Sequence, residues 1–175
     1  MTEFTDVNEV RQCGDCGLCC KLLAVDEIDK PPHRWCDHFA PGGGCSIYID
    51  RPHVCSAFQC IWLRQTELGA EWKPNRAHFV IYLDVRQKQL VVTVDPVHAN
   101  AWRKEPYLSE FRLWARRGLD QGPQLVVKIR RRIIAILPDR EIDFGELADD
   151  ERIRLTRHQT PDGVGLTAQK VTAAD

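Results

Sequence analysis

Cys13-Gly14-Asp15-Cys16-Gly17-Leu18-Cys19-Cys20 is the stretch whose reading decides the fold of the first third of this chain. Its thiols follow a C-x2-C-x2-C-C spacing. A C-x2-C turn places two sulfurs on one side of a tight bend, the usual half of a tetrahedral zinc site with four cysteine ligands. C-x2-C-x2-C also opens the ferredoxin-type iron–sulfur motif. Gly14 or Gly17 can take the positive φ angles that turn backbone amides toward sulfur. From Cys16 onward the sequence predicts a short helix over residues 16 to 23. On it Cys16, Cys19 and Cys20 fall at i, i+3 and i+4 and share a face.

Four more cysteines follow, and the Pro and Gly around them predict irregular backbone. Cys36 comes after Pro31-Pro32-His33-Arg34-Trp35, Cys45 after Pro41-Gly42-Gly43-Gly44, Cys55 after Arg51-Pro52-His53-Val54, and Cys60 closes Phe58-Gln59-Cys60. All eight lie between residues 13 and 60, and residues 61 to 175 hold none. Charge divides at the same place. Residues 1 to 60 carry five Lys/Arg against nine Asp/Glu, and residues 61 to 175 carry nineteen against sixteen. Ionised thiols would deepen the negative balance of the first part, which bound cations would offset.

Dense cysteine has two explanations. A disulfide framework suits short secreted chains. Here the opening Met1-Thr2-Glu3-Phe4-Thr5-Asp6 has neither a basic nor an apolar leader character. The vicinal Cys19-Cys20 pair also suits a disulfide poorly, because adjacent side chains point apart. Metal–thiolate ligation is therefore the expectation, with Cys13, Cys16, Cys19, Cys20, Cys36, Cys45, Cys55 and Cys60 as ligands. Thiolates disfavour Mg2+ and Ca2+, leaving zinc, iron and Cu(I). Met1 is the lone methionine, so thioether ligation of copper is unsupported.

The eight cysteines, with Ile47-Tyr48, Arg51-Pro52 and Phe58 between them, resemble the CxxCxxCC family, the YkgJ-type cysteine cluster proteins of bacteria described as zinc- or iron-chelating. The resemblance covers roughly residues 13 to 62. It implies a metal-chelating domain in an intracellular protein. A related cysteine domain occurs in flagellin lysine methylases, where it resembles an iron–sulfur module. Residues 61 to 175 carry no methyl-donor motif, so methylation is not carried over.

His33, His38 and His53 lie inside the cysteine block and read as loop residues beside the site, since eight thiolates already suffice. His78, His98 and His158 read as structural. Arg51-Pro52 has two readings, a support that orients the approach to Cys55 or a solvated surface turn. Gly42-Gly43-Gly44 lacks the Lys-Ser/Thr of a phosphate loop and reads as a place where backbone comes close to the metal.

Past the cysteines, Ala77–Asp84 and Gln89–Asp95 predict a β-hairpin joined by Val85-Arg86-Gln87-Lys88. Pro106 to Gly118 predicts a helix with Leu108, Phe111, Trp114 and Ala115 on its apolar stripe. Residues 125–129 and 133–137 predict strands broken by Arg130-Arg131-Arg132, with 142–144 as a third and 152–157 as a weak fourth. The arginine run reads as a solvated turn in preference to an anion-binding patch, because consecutive strand residues point to alternating faces. The five tryptophans read as core or interface filling.

The class expected is thus α+β: an irregular Cys-rich metal-bound N-terminal region (1–62) packed on a small antiparallel sheet with one or two helices (63–158), then a mobile tail (159–175). With 24 Lys+Arg against 25 Asp+Glu and no apolar run of ~20 residues, neither nucleic acid nor a membrane is an expected partner. The expected chain is cytoplasmic and carries no recognisable catalytic motif. Its partners are metal ions, with zinc ahead of iron or a [4Fe–4S] cluster, and a protein partner for delivery or docking. Iron–sulfur redox or group-transfer chemistry is the alternative, and a metal-stabilised interaction module is a third reading.

Overall fold

A computed structural model describes residues 11–119, 122–161 and 163–172. The opening Met1–Asp6, read above for a leader, lies outside the described residues. In chain order the elements are α1 (Leu18–Leu22), β1 (Phe39–Ala40), β2 (Gly44–Cys45), α2 (His53–Ala57), α3 (Ile61–Arg64), α4 (Pro74–Ala77), β3 (Phe79–Asp84), β4 (Gln89–Val94), α5 (Tyr107–Arg117), β5 (Gln124–Ile129), β6 (Arg132–Ile136), β7 (Glu141–Glu146), β8 (Glu151–Thr160) and β9 (Gly163–Thr172). The class is mixed α+β. Only α5 among these helices exceeds five residues.

The central element is a five-stranded sheet in the order β3-β4-β5-β6-β7. Its first two strands are the predicted hairpin, in register with Phe79 opposite Val94 and Ile81 opposite Val92. Pro96 ends it by opening a 3-10 turn over Pro96–His98. The expectation of an antiparallel sheet is corrected at one seam, because β4 and β5 run parallel, with Val91 beside Val126. Two short 3-10 turns and α5 lie between those strands. A helical crossover of that length is what parallel neighbours require.

Period-two alternation gives this sheet two apolar faces. On the first, Phe79, Ile81, Val92, Val94, Leu125, Val127, Ile134 and Ile136 pack against Trp72, Trp102, Tyr107, Phe111 and Ala115. Tyr107, Phe111 and Ala115 recur every fourth position along α5 and are buried, while Leu108 and Trp114 are partly covered. Trp72 meets Phe79, Tyr107 and Phe111 edge-on and stacks on Trp114 at 5.2 Å. These tryptophans fill core, as their size suits them to do.

The second face is shared by two covers. Over Val91, Val126, Ala135 and Leu137 lies the β8–β9 hairpin, contributing Ile153, Leu155 and Leu166. Gln89 and Gln124 fasten it by donating to the Ile153 and Leu155 carbonyls at 3.4 and 2.9 Å. Arg157 reaches back to the carbonyls of Gly118, Leu119 and Gly122 at the end of α5. The tail differs from its expectation here. Residues 163–172 form a ten-residue strand, because β8 supplies the partner that the glycines at 163 and 165 do not advertise. Nearer β3, Val80 is covered instead by Leu18, Leu22 and Cys60 of the Cys-rich segment.

Of the arginine run, Arg130 takes a positive φ in the turn, Arg131 binds the Leu147 carbonyl and Asp149, and Arg132 pairs with Asp143. Two of the three are therefore held within the chain's own β5–β7 edge.

Lys21 joins the Cys-bearing helix to the sheet through an ion pair with Asp95 at 2.6 Å. Asp95 is 4% exposed and also accepts the Val97 amide at the start of the 3-10 turn. Burial pushes its carboxyl up, but the Lys21 bond and charge and the Val97 amide outweigh that and hold it below the ordinary carboxylate value. A depressed carboxyl contributes stability above its unfolded value of ~3.9, and that contribution is lost as pH falls through the lower folded value. Asp95→Asn should therefore lower stability at neutral pH by about 1–3 kcal/mol, and the gap to the parent should narrow in acid. Urea unfolding at pH 7 and below pH ~3 measures it; a gap that stays constant in acid would rule out the carboxylate's charge as its source.

Candidate functional site

The eight cysteines come from segments with little regular structure, and close backbone contacts fix their places. The Cys13–Cys16 turn closes through the Cys16 amide on the Cys13 carbonyl at 2.9 Å. Asp15 in that turn is gripped by Lys73 at 2.5 Å and Asn75 at 3.2 Å, which tie it to the start of α4. The predicted helix over 16–23 is shorter than expected and begins at Leu18, with Gly17 as its cap. Cys19 and Cys20 ride on it, while Cys16 precedes it.

Gly44 takes φ +76°, and a Cβ there would run into the Gly14 carbonyl oxygen. The glycine run thus lets the β1–β2 loop lie against the backbone of the Cys13 turn, which positions Cys45. Arg51 donates to the Tyr48 carbonyl and lies 3.9 Å above its ring. Pro52 caps α2, which carries Cys55. The two readings of Arg51-Pro52 resolve into a local staple that sets the entry to that helix.

All eight cysteines line one cavity of about 510 Å³. All are free thiols; no disulfide joins any of them. Cys60 is buried and the other seven are partly so. Of the three histidines in the block only His38 lines the cavity; His33 and His53 do not. Ile28, Tyr48 and Val54 stand half-exposed along its wall. No group of three or more His, Cys, Asp or Glu side chains among the described residues is placed as a ready coordination site. The thiols share a chamber without being drawn to a common point.

Electrostatics divide them. A hydrogen bond with Cys19 brings the Cys20 thiol down to about 7, with burial opposing it and the Lys30 charge assisting. The same bond, followed by burial, keeps the proton on Cys19. Burial first, and then the Cys13 and Cys16 sulfurs, push Cys60 up. Burial first, and then Cys20, Cys36 and Cys45, push Cys55 up.

Three supports escaped the sequence reading. Lys30 is 6% exposed and donates to the Lys21 and Leu23 carbonyls at the end of α1. Glu27 accepts the His53 and Val54 amides at 2.9 Å each, capping α2 from 26 residues away. Arg11 donates to the carbonyls of Trp62, Gln65, Thr66 and Leu68 and lies 4.8 Å above the Trp62 ring. None follows from residue type or spacing alone, since each partner is set by tertiary contact.

No family model matches the chain, nor does any curated protein or solved structure. The likeness to the CxxCxxCC proteins stands on the motif residues alone. Among the described residues no helix is long and apolar enough to cross a membrane.

Glu27→Gln should weaken the α2 cap by about 1 kcal/mol. Amide protection at His53 and Val54 should fall and alkylation of Cys55 should quicken, while Cys60 stays slow. Hydrogen exchange and mass-resolved alkylation read both, and equal acceleration at both thiols would contradict the assignment. Gly44→Ala, which meets backbone and a left-handed φ together, should cost about 1–3 kcal/mol and loosen the Cys13 turn. Unchanged alkylation of Cys13 and Cys45 in that variant would show that the close approach is dispensable.

Proposed function

We propose that this protein binds a soft metal, zinc ahead of iron, through the thiolates of Cys13, Cys16, Cys19, Cys20, Cys36, Cys45, Cys55 and Cys60. The single observation that carries this reading is that eight free thiols from separate loops and short helices line one cavity. Soft donors at that density suit zinc or iron and repel hard cations.

The donor set fits in kind, and it leaves room to close. A chamber of about 510 Å³ has space for on the order of ten waters, more than ions bonded to sulfur at ~2.3 Å would leave. Binding would draw the walls inward, and the short helices and Gly-bearing turns that carry the thiols can yield to it. A segment that buries so few apolar residues of its own would gain folding free energy from that closure. Four-thiolate ligation leaves no coordination position for a reacting water, so the role is chelation, for sequestration, delivery or structural use, in a cytoplasmic chain. The resemblance of the cysteine pattern to the CxxCxxCC proteins points the same way.

Elemental analysis of protein purified anaerobically without added metal tests this. Zinc bound in stoichiometric amount to a colourless protein is the expected result. A brown protein with iron and acid-labile sulfide would favour the iron–sulfur alternative. A metal-free, folded protein that also fails to take up zinc would overturn the proposal. Cys16→Ser or Cys55→Ser should lower the metal content and quicken proteolysis of the first sixty residues, leaving the hairpin around Val91 intact.

A further inference from the structure

Resting on that metal-binding reading, the arrangement of the cavity wall carries a finer division. Cys16, Cys19 and Cys60 pack together over Leu18, Leu22 and Val80 on the second face of the sheet. Cys13 belongs with them through its turn bond to Cys16. The other four are linked through backbone contacts of their own, although the Gly44 loop that carries Cys45 also lies against the Cys13 turn. The Cys36 amide donates to the Cys20 carbonyl at 3.0 Å, and the Phe39 amide donates to the Cys36 carbonyl at 3.0 Å. Phe39 stands opposite Cys45 in the β1–β2 pair. The helix that carries Cys55 is capped by Glu27, whose loop returns through the Val25–Lys30 bridge and puts the Lys30 ammonium at the carbonyls just after Cys20.

We propose that the eight thiols form two four-sulfur sites joined at the vicinal Cys19-Cys20 pair: Cys13, Cys16, Cys19 and Cys60 against the sheet, and Cys20, Cys36, Cys45 and Cys55 among the loops, with Lys30 as a positioning charge for the loop-side site. Adjacent residues on a helix leave it about 100° apart, so the vicinal pair can hand one thiol to each of two neighbouring centres. Four thiolates on a divalent ion leave a surplus of negative charge. Lys30 is buried and fixed by the Lys21 and Leu23 carbonyls just past Cys20, and it lies among Cys20, Cys36, Cys19 and Cys55, so it would offset part of that surplus at the end of α1.

Cadmium NMR on the full chain, loaded with cadmium as a sulfur-seeking probe, tests the division without relying on any variant. The expected spectrum has two resonances, each coupled to the β-protons of one of the two named sets of four cysteines. Lys30→Met should shift the loop-side resonance and weaken cadmium there at least tenfold in chelator competition, leaving the sheet-side resonance in place. Couplings that mix the sets, or a single sulfur coupled to two cadmium ions as in a bridged cluster, would overturn the two-site division. Equal weakening of both resonances by Lys30→Met would overturn the role of Lys30. A chain that binds no cadmium and no zinc would remove the metal reading itself, a result distinct from mixed couplings.

Discussion

Every sheet has two faces, and the need to cover both organises this molecule. On the first face α5 and the tryptophan-rich turns bury Phe79, Val92, Val127 and Ile134. On the second, the β8–β9 hairpin extends over β4–β6, while Val80, fully buried on β3, is covered by Leu18, Leu22 and Cys60 of the Cys-rich segment. That small contact lets a segment without a hydrophobic core of its own be held in place. The thiols then line a chamber one wall of which is a rigid strand.

Polar anchors finish what the apolar contact begins. Lys21–Asp95, Lys73–Asp15 and the four carbonyls gripped by Arg11 each tie a cysteine-bearing stretch to the body of the protein. Glu27 and Lys30 act within the Cys-rich segment, one on α2 and the other on the end of α1. Ion pairs at a surface are worth little. Here several are partly buried and act between segments with few other contacts, so their main effect is on where the thiols stand. These anchors fix where the eight thiols stand around the cavity proposed to take up metal.

The elements with strong periodicity were legible in the sequence. Phe79–Val94 alternates as a hairpin must, and the stripe on α5 recurs at helical spacing, so both are found where expected. The parallel β4–β5 seam was legible in principle, since strand, helix and strand in succession signal a crossover, yet the antiparallel neighbours on either side obscured it. β9 was not legible, because Gly163 and Gly165 carry little strand preference and β8 decides their conformation. At the site, the thiols announced themselves by type and spacing. The cap from Glu27, the buried ammonium of Lys30 and the close approach at Gly44 did not, being contacts between residues distant in the chain.

X-ray absorption at the edge of any metal that copurifies tests the proposed thiolate ligation most directly. The account predicts a first shell of about four sulfurs near ~2.3 Å for zinc, with no appreciable nitrogen or oxygen. A first shell dominated by nitrogen or oxygen would contradict it, because the thiols lining the cavity would then not be the ligands.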